Sequence, residues 1–250
     1  MPTESTIKSL ERSMEVLYCF ADSKTELGVT EIAQKLRMNK STIFNTLATL
    51  AFAGILCKNP VSNKYYPALN TLKLSNSALI HSGIRELFTP YLLTLMQRTR
   101  KVCSHVVLEG TQLLYTLTLA PEGYPQAEGF PGETAPLHCT SAGKVFLAYM
   151  NEEDLQSALL SPLESYTSLT VTKEEDIRNM LPEIRTRGYA IDNMEHTYGI
   201  RSVAIPLFRT DRQVTSAICV TSPTTHFSLE TIEETAQIME ETLRPLQHRL

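Results

Sequence analysis

The sequence predicts an α+β protein in two parts: a small unit of three helices closed by a hairpin, then a larger mixed α/β body reached through a linking helix. Three observations carry this. Apolar residues keep helical spacing through most of the first ninety residues and fall into alternating stretches later. Turn-forming residues bracket a short strand pair near residues 55–67. Charge is also unevenly divided. Residues 1–75 hold nine Lys and Arg against six Asp and Glu, and the rest holds fourteen against twenty-one. A mildly basic segment therefore precedes an acidic body, as expected of a nucleic-acid contact module joined to a domain that binds something else.

The elements follow in order. Leu10, Met14 and Leu17 recur at helical spacing over 7–21. A polar connection, 21–28, leads to a short helix with Thr30 as its N-cap, carrying Ile32, Ala33 and Leu36. After a turn at Arg37–Asn39, a helix runs from Lys40 to Ala53 and stops at Gly54. Segments 55–58 and 64–67 flank the loop Asn59–Asn63 and read as a hairpin. Three helices with a two-stranded wing make a winged helix-turn-helix. A helical pattern covers Leu69 to Phe88, with a stripe through Ile80, Ile84 and Leu87, and a joint is expected at Thr89-Pro90.

In the body, 102–108, 113–119, 189–192, 203–208 and 214–221 read as strands, and 141–150, 152–160, 173–187 and 228–243 as helices. The Gly- and Pro-rich stretch 121–136 is a loop with room for a short strand.

At 250 residues, 42% hydrophobic and 20% charged, the chain has the length for two modest domains and is not disordered overall. No apolar run approaches the ~18 residues of a membrane span, and the N-terminus lacks a signal-peptide pattern. Cys19, Cys57, Cys103, Cys139 and Cys219 are odd in number and scattered, which argues against a disulfide framework or a zinc knuckle. A cytoplasmic protein without membrane contact is expected.

Residues 30–47 fit a helix-turn-helix. Ile32, Leu36, Met38, Ile43 and Leu47 fall where the helices pack, and Ala33 is small where they approach. Arg37 stands at a turn position that favours Gly, because φ is often positive there. With Ile43, Leu47 and Leu50 inward, Ser41, Thr42, Asn45 and Thr49 face outward, and Thr46 joins them as a candidate DNA contact. Short hydrogen-bonding side chains on the first half of such a helix suit base edges and phosphates. Lys40 and the wing's Lys64 add phosphate neutralisation. Double-stranded DNA is thus an expected partner.

The chain resembles the IclR family of bacterial transcriptional regulators over nearly its whole length. The matching segments are Ser9-Leu-Glu-Arg-Ser-Met-Glu-Val-Leu, Leu36-Arg-Met-Asn-Lys-Ser-Thr-Ile-Phe-Asn-Thr-Leu, Pro136-Leu-His-Cys-Thr-Ser-Ala-Gly-Lys-Val-Phe-Leu-Ala, and the run Gly188–Phe208 with Glu195 and Gly199. The resemblance implies a winged-helix domain over 1–70, a linker helix over 71–88 and a GAF-like effector domain over 89–250. It also implies dimers or tetramers on palindromic operators, without catalysis or cofactor. The family usually has Arg where this chain has Asn45, so the operator sequence does not carry over.

The resemblance further implies a small-molecule pocket walled by Ser141, Ala142, Asp192, Ile200, Ser202, Cys219 and Thr221, with Tyr124 and Ala127 from the preceding loop. Local chemistry agrees. Ser141 opens a predicted helix whose free N–H groups suit an anion, alternation puts Cys219 and Thr221 on one strand face, and Asp192 adds an acceptor for a ligand hydroxyl. A small hydroxy- or keto-acid is the expected effector and repression the expected mode of action. The alternative is a small-molecule sensor that acts on a protein partner rather than DNA.

Ser141-Ala-Gly-Lys144 satisfies Ser-x-x-Lys, but Ser-Asp-Asn and Lys-Thr-Gly are absent. A helix-capping role for Ser141 is the simpler reading. Gly143-Lys144 lacks the preceding Gly and following Ser or Thr of a phosphate loop. His138, Cys139 and His196 make no local metal-ligand spacing, so no metal is expected and His138 reads as a hydrogen-bonding corner residue.

Overall fold

The computed structural model describes residues 7–21, 23–123, 129–160, 162–210 and 212–246. Tyr124 and Ala127 lie outside them. The chain divides into two compact units, one ending at His81 and one beginning at Ser82.

The first unit holds α1 (Lys8–Ala21), α2 (Val29–Leu36), α3 (Lys40–Phe52), the antiparallel hairpin of β1 (Leu56–Lys58) and β2 (Tyr65–Pro67), and α4 (Leu72–Ser82). Its core joins Val16, Cys19 and Phe20 of α1 to Ile32 and Ala33 of α2, Ile43 and Leu47 of α3, and Leu56 and Tyr65 of the hairpin. Leu36, Met38 and Leu50 pack on its edge. Leu27 and Tyr65 exchange backbone hydrogen bonds, which fastens the hairpin to the approach of α2.

Two local readings change. Helix α2 starts one residue before Thr30, because Gly28 supplies the extended cap residue and its N–H is bonded by the Glu31 carboxylate at 2.6 Å. The stripe of Leu10 and Met14 on α1 faces outward with Ile7 and Tyr18, whereas Val16, Cys19 and Phe20 form the packed face.

The helical run also breaks elsewhere than expected. It is interrupted at Gly83, which has φ 64°, and α5 (Ile84–Thr99) runs straight through Thr89 and Pro90. An interior proline costs about 3 kcal/mol. Phe88, Leu92 and Leu95, buried on either side of it, offset that cost by packing against the sheet. The stripe through Ile80, Ile84 and Leu87 is therefore not continuous. Ile80 is exposed on α4, while Ile84 and Leu87 pack at the edge of the second unit's core.

The second unit is built on one antiparallel sheet. Its strands are β3 (Val102–Glu109), β4 (Gln112–Leu119), β5 (Thr134–Pro136), β6 (Ala190–Asn193), β7 (Ile200–Phe208) and β8 (Val214–Pro223), in the order β5-β4-β3-β8-β7-β6. Its other helices are α6 (Ser141–Tyr149), α7 (Glu152–Leu159), α8 (Glu174–Arg187) and α9 (Ile232–Leu243). Side-chain alternation gives the sheet two apolar faces. Val106, Ala204, Ala217 and Cys219 pack with α6, α7 and α8, while Cys103, Val203, Ile205, Ile218 and Val220 pack with α5 and α9. Small residues dominate the first face, so α6 lies close to the strands. This is an α+β chain with a helix-turn-helix, a wing hairpin and a sheet covered on both sides.

Candidate nucleic-acid interface and ligand cavity

Helix α3 has a buried side and a polar side. Ile43 and Leu47 are fully buried, while Lys40, Ser41, Thr42, Asn45 and Thr49 are exposed and Thr46 is half-buried. Asn39 precedes the helix in an extended conformation and its side chain caps nothing. The first N–H groups of α3 are thus left for an outside acceptor, the arrangement that a phosphate completes. Thr49 is already engaged, its hydroxyl donating to the Asn45 carbonyl at 2.8 Å. The turn before α3 is made at Arg37, whose φ of 52° is left-handed, as its position implied.

The wing is more tightly held than its sequence suggests. Glu26 accepts hydrogen bonds from the Asn59 amide and the Ser62 hydroxyl, each at 2.7 Å, and those bonds hold its carboxyl below the usual range. Lys64 forms an ion pair with Glu31 at 2.6 Å. The charge expected to face phosphate is thus engaged within the unit, in a largely exposed pair that solvent screens.

In the second unit, strand pairing puts Val102, Thr221, Ser202 and Asp192 in one row across β3, β8, β7 and β6, with Ser104 and Cys219 adjoining. The start of α6 lies over this row. Together they enclose a cavity of about 60 Å³ lined by Ser141, Ala142, Asp192, Ile200, Ser202, Cys219 and Thr221. All seven described residues named for the pocket meet there. Sequence reasoning missed Ser104, Tyr115, Thr140 and His196, which line it too. Ser104 was accessible from alternation once β3 was known to pair with β8. His196 comes from an irregular loop that no periodicity announces.

The opening of α6 differs in one detail. Thr140, not Ser141, caps the helix, accepting from the Gly143 N–H at 3.2 Å while donating to the Pro136 carbonyl at 2.7 Å. Ser141 is freed from capping, and its hydroxyl lies 2.7 Å from that of Ser202. Only the first N–H groups of the helix, those of Ser141 and Ala142, remain for a ligand.

Asp192 is buried and accepts the Glu195 N–H at 2.8 Å. Burial raises its pKa to about 6, opposed by that hydrogen bond. Buried Lys144 pairs with Glu195 at 2.5 Å, joining α6 to the loop after β6. Neither Lys nor Arg lines the cavity among the described residues. His138 Nε2 meets the Glu164 carbonyl at 2.9 Å, and burial lowers its pKa. No cluster of three or more His, Cys, Asp or Glu among the described residues could hold a metal. No helix there is long and apolar enough to cross a membrane.

Residues 76–248 match the model of the bacterial transcriptional regulator IclR C-terminal domain, and residues 9–60 match that of the IclR helix-turn-helix domain. The chain is 31% identical over 223 residues to the HTH-type transcriptional regulator BhcR of Paracoccus denitrificans, spanning 89% of this chain and 80% of that protein. It is 29% identical over 220 residues to the HTH-type transcriptional regulator XynR of Escherichia coli, spanning 87% of each. An IclR transcriptional regulator from Alicyclobacillus acidocaldarius is structurally similar, with a TM-score of 0.83 and 25% identity over 97% of this chain and 98% of that one.

Proposed function

Because the chain belongs to the IclR family of bacterial transcriptional regulators, a family of DNA-binding regulators and not of enzymes, we propose that it is a cytoplasmic repressor released from its operator by a small hydroxy- or keto-acid. The observation that carries the ligand class is the cavity itself. A water needs roughly 10–15 Å³ in this measure, so about 60 Å³ accommodates a ligand of a few heavy atoms. With no Lys or Arg among the described wall residues, the N–H groups of Ser141 and Ala142 at the positive end of α6 are the best seat for a carboxylate. Asp192, also on the wall, accepts from a hydroxyl when ionised or donates to a keto oxygen when protonated.

On the DNA side, Asn45 and Ser41 select the operator, Lys40 contributes affinity, and Lys64 adds to it where phosphate draws it away from Glu31. Binding is by a homodimer or larger assembly, since one recognition helix makes too few base contacts for genomic specificity. The outward face of α1, with Ile7, Leu10, Met14 and Tyr18, is the surface we assign to self-association, because four large apolar side chains on one helix face are costly to leave in water. Ligand binding then changes operator affinity through the spacing of paired DNA-binding units, by a coupling of ~1–3 kcal/mol.

The test is a thermal-shift screen of two- to four-carbon hydroxy- and keto-acids. At 100 times its dissociation constant a ligand adds about 2.7 kcal/mol. The reading requires at least one acid that stabilises the protein and loosens its hold on DNA. Stabilisation by amines or neutral sugars alone would replace the ligand class.

A further inference from the structure

We propose that Phe44 is a specificity residue that reads the 5-methyl group of thymine in the operator. This rests on the reading that α3 enters the major groove, and adds a contact to it. Phe44 is 51% exposed, although its neighbour Ile43 is fully buried. It stands three residues after Ser41 and four before Ala48, so the three share one side of α3, and Ser41 and Ala48 are exposed as well. The ring therefore belongs to the surface that carries Asn45, not to the core.

A half-exposed aromatic ring is ordinary on most surfaces. On a face that docks against base edges it has a definite consequence. The ring can neither donate nor accept a conventional hydrogen bond, and the major groove offers a single apolar group, the thymine C5-methyl. Opposite any other base, Phe44 covers a polar edge without satisfying it, which costs affinity. Ala48, one turn on, adds a second small apolar surface on the same side.

The experiment uses the full chain and a duplex from the DNA upstream of its own gene. Specific binding to the parent duplex is established first against a scrambled duplex. Thymines are then replaced one at a time by deoxyuridine, which removes only the methyl group. Wild type is expected to lose about fourfold at one thymine per half-site, the worth of one buried methylene-sized group. Phe44→Ala is expected to bind more weakly and to be indifferent to that replacement, while Phe44→Leu keeps part of the sensitivity. Specific binding with indifference to every deoxyuridine overturns the Phe44 assignment and leaves the regulator reading intact. So does a methyl effect that persists undiminished in Phe44→Ala. Absence of specific binding to the parent duplex overturns both.

Discussion

The Ser141 hydroxyl oxygen stands 2.7 Å from that of Ser202, so the first residue of α6 is fastened to β7, next to the β6 edge of the sheet, at the wall of the cavity. Both residues are buried. A ligand that takes up either hydroxyl exchanges this bond for its own. Ser141→Leu fills the cavity and removes the bond, yet leaves the Thr140 cap of α6 in place. We expect the variant to bind operator DNA as tightly as wild type and to ignore the effector. Unchanged release by the same acid moves the ligand site elsewhere.

Asp192 makes both stability and ligand affinity depend on pH. Its carboxyl titrates near 6 when folded against an ordinary 3.8. Between those values the folded chain holds a proton on Asp192 that the unfolded chain has lost, so this group's contribution to stability falls as pH rises through the window, while buried His105 and His138, whose pKa values burial lowers, contribute with the opposite sign. Asp192→Asn is expected to remove that contribution, so that its stability rises relative to wild type between pH 4 and 7, by up to about 3 kcal/mol at pH 7. A keto-acid, accepting from the protonated form, binds wild type more tightly at pH 5 than at pH 7. Urea titrations across this range check the first point and calorimetry the second. A slope identical to that of wild type assigns the proton to another group.

Gly143 has no room for a side chain. A Cβ there would lie 2.3 Å from the Leu137 carbonyl oxygen and 2.4 Å from the Leu137 Cα, both backbone atoms. Gly143→Ala must push α6 away from the preceding loop, so the expected loss is at the top of the ~1–3 kcal/mol range for overpacking, or beyond it. Denaturation of the full chain by near-ultraviolet dichroism reads it. A change below 0.5 kcal/mol, roughly the range of a neutral surface substitution, would mean that α6 sits farther from Leu137.

The wing pair offers a test of charge. Glu31 holds Lys64 and also bonds the Gly28 N–H, and the lysine is the larger cause of its lowered pKa. Glu31→Gln keeps the cap, since an amide oxygen also accepts, but releases the cation. Binding to cognate and random duplexes is expected to strengthen several-fold at low salt, with a slope against log salt steeper by about one. Equal salt slopes for variant and wild type place Lys64 away from phosphate.

The parts of this molecule set by local rules were legible in its sequence. Period alone separated Ile43 and Leu47 from Ser41 and Asn45, and a turn rule marked Arg37 as left-handed. Family resemblance, together with alternation, assembled seven cavity residues from segments far apart in the chain. What escaped was decided by partners. Pro90 broke nothing, because Phe88 and Leu92 are held by strands distant in sequence. Lys64 looked free until Glu31, thirty-three residues earlier, was found beside it. The two signature segments carried no hint that Lys144 of one and Glu195 of the other form a buried pair. Capping also favoured the wrong hydroxyl, because Thr140 and Ser141 are adjacent and only the backbone angle at Thr140 distinguishes them.

The central claim is that α3 selects a sequence through Asn45. It is tested most directly by fluorescence anisotropy, titrating wild type and Asn45→Ala into a duplex from upstream of the protein's own gene and into a scrambled duplex, at several salt concentrations. The account predicts that wild type prefers the cognate duplex by ~10³ or more. It also predicts that Asn45→Ala loses about 1–3 kcal/mol on the cognate duplex and little on the scrambled one. Equal losses on both duplexes, or no binding by wild type even at low salt, would contradict it.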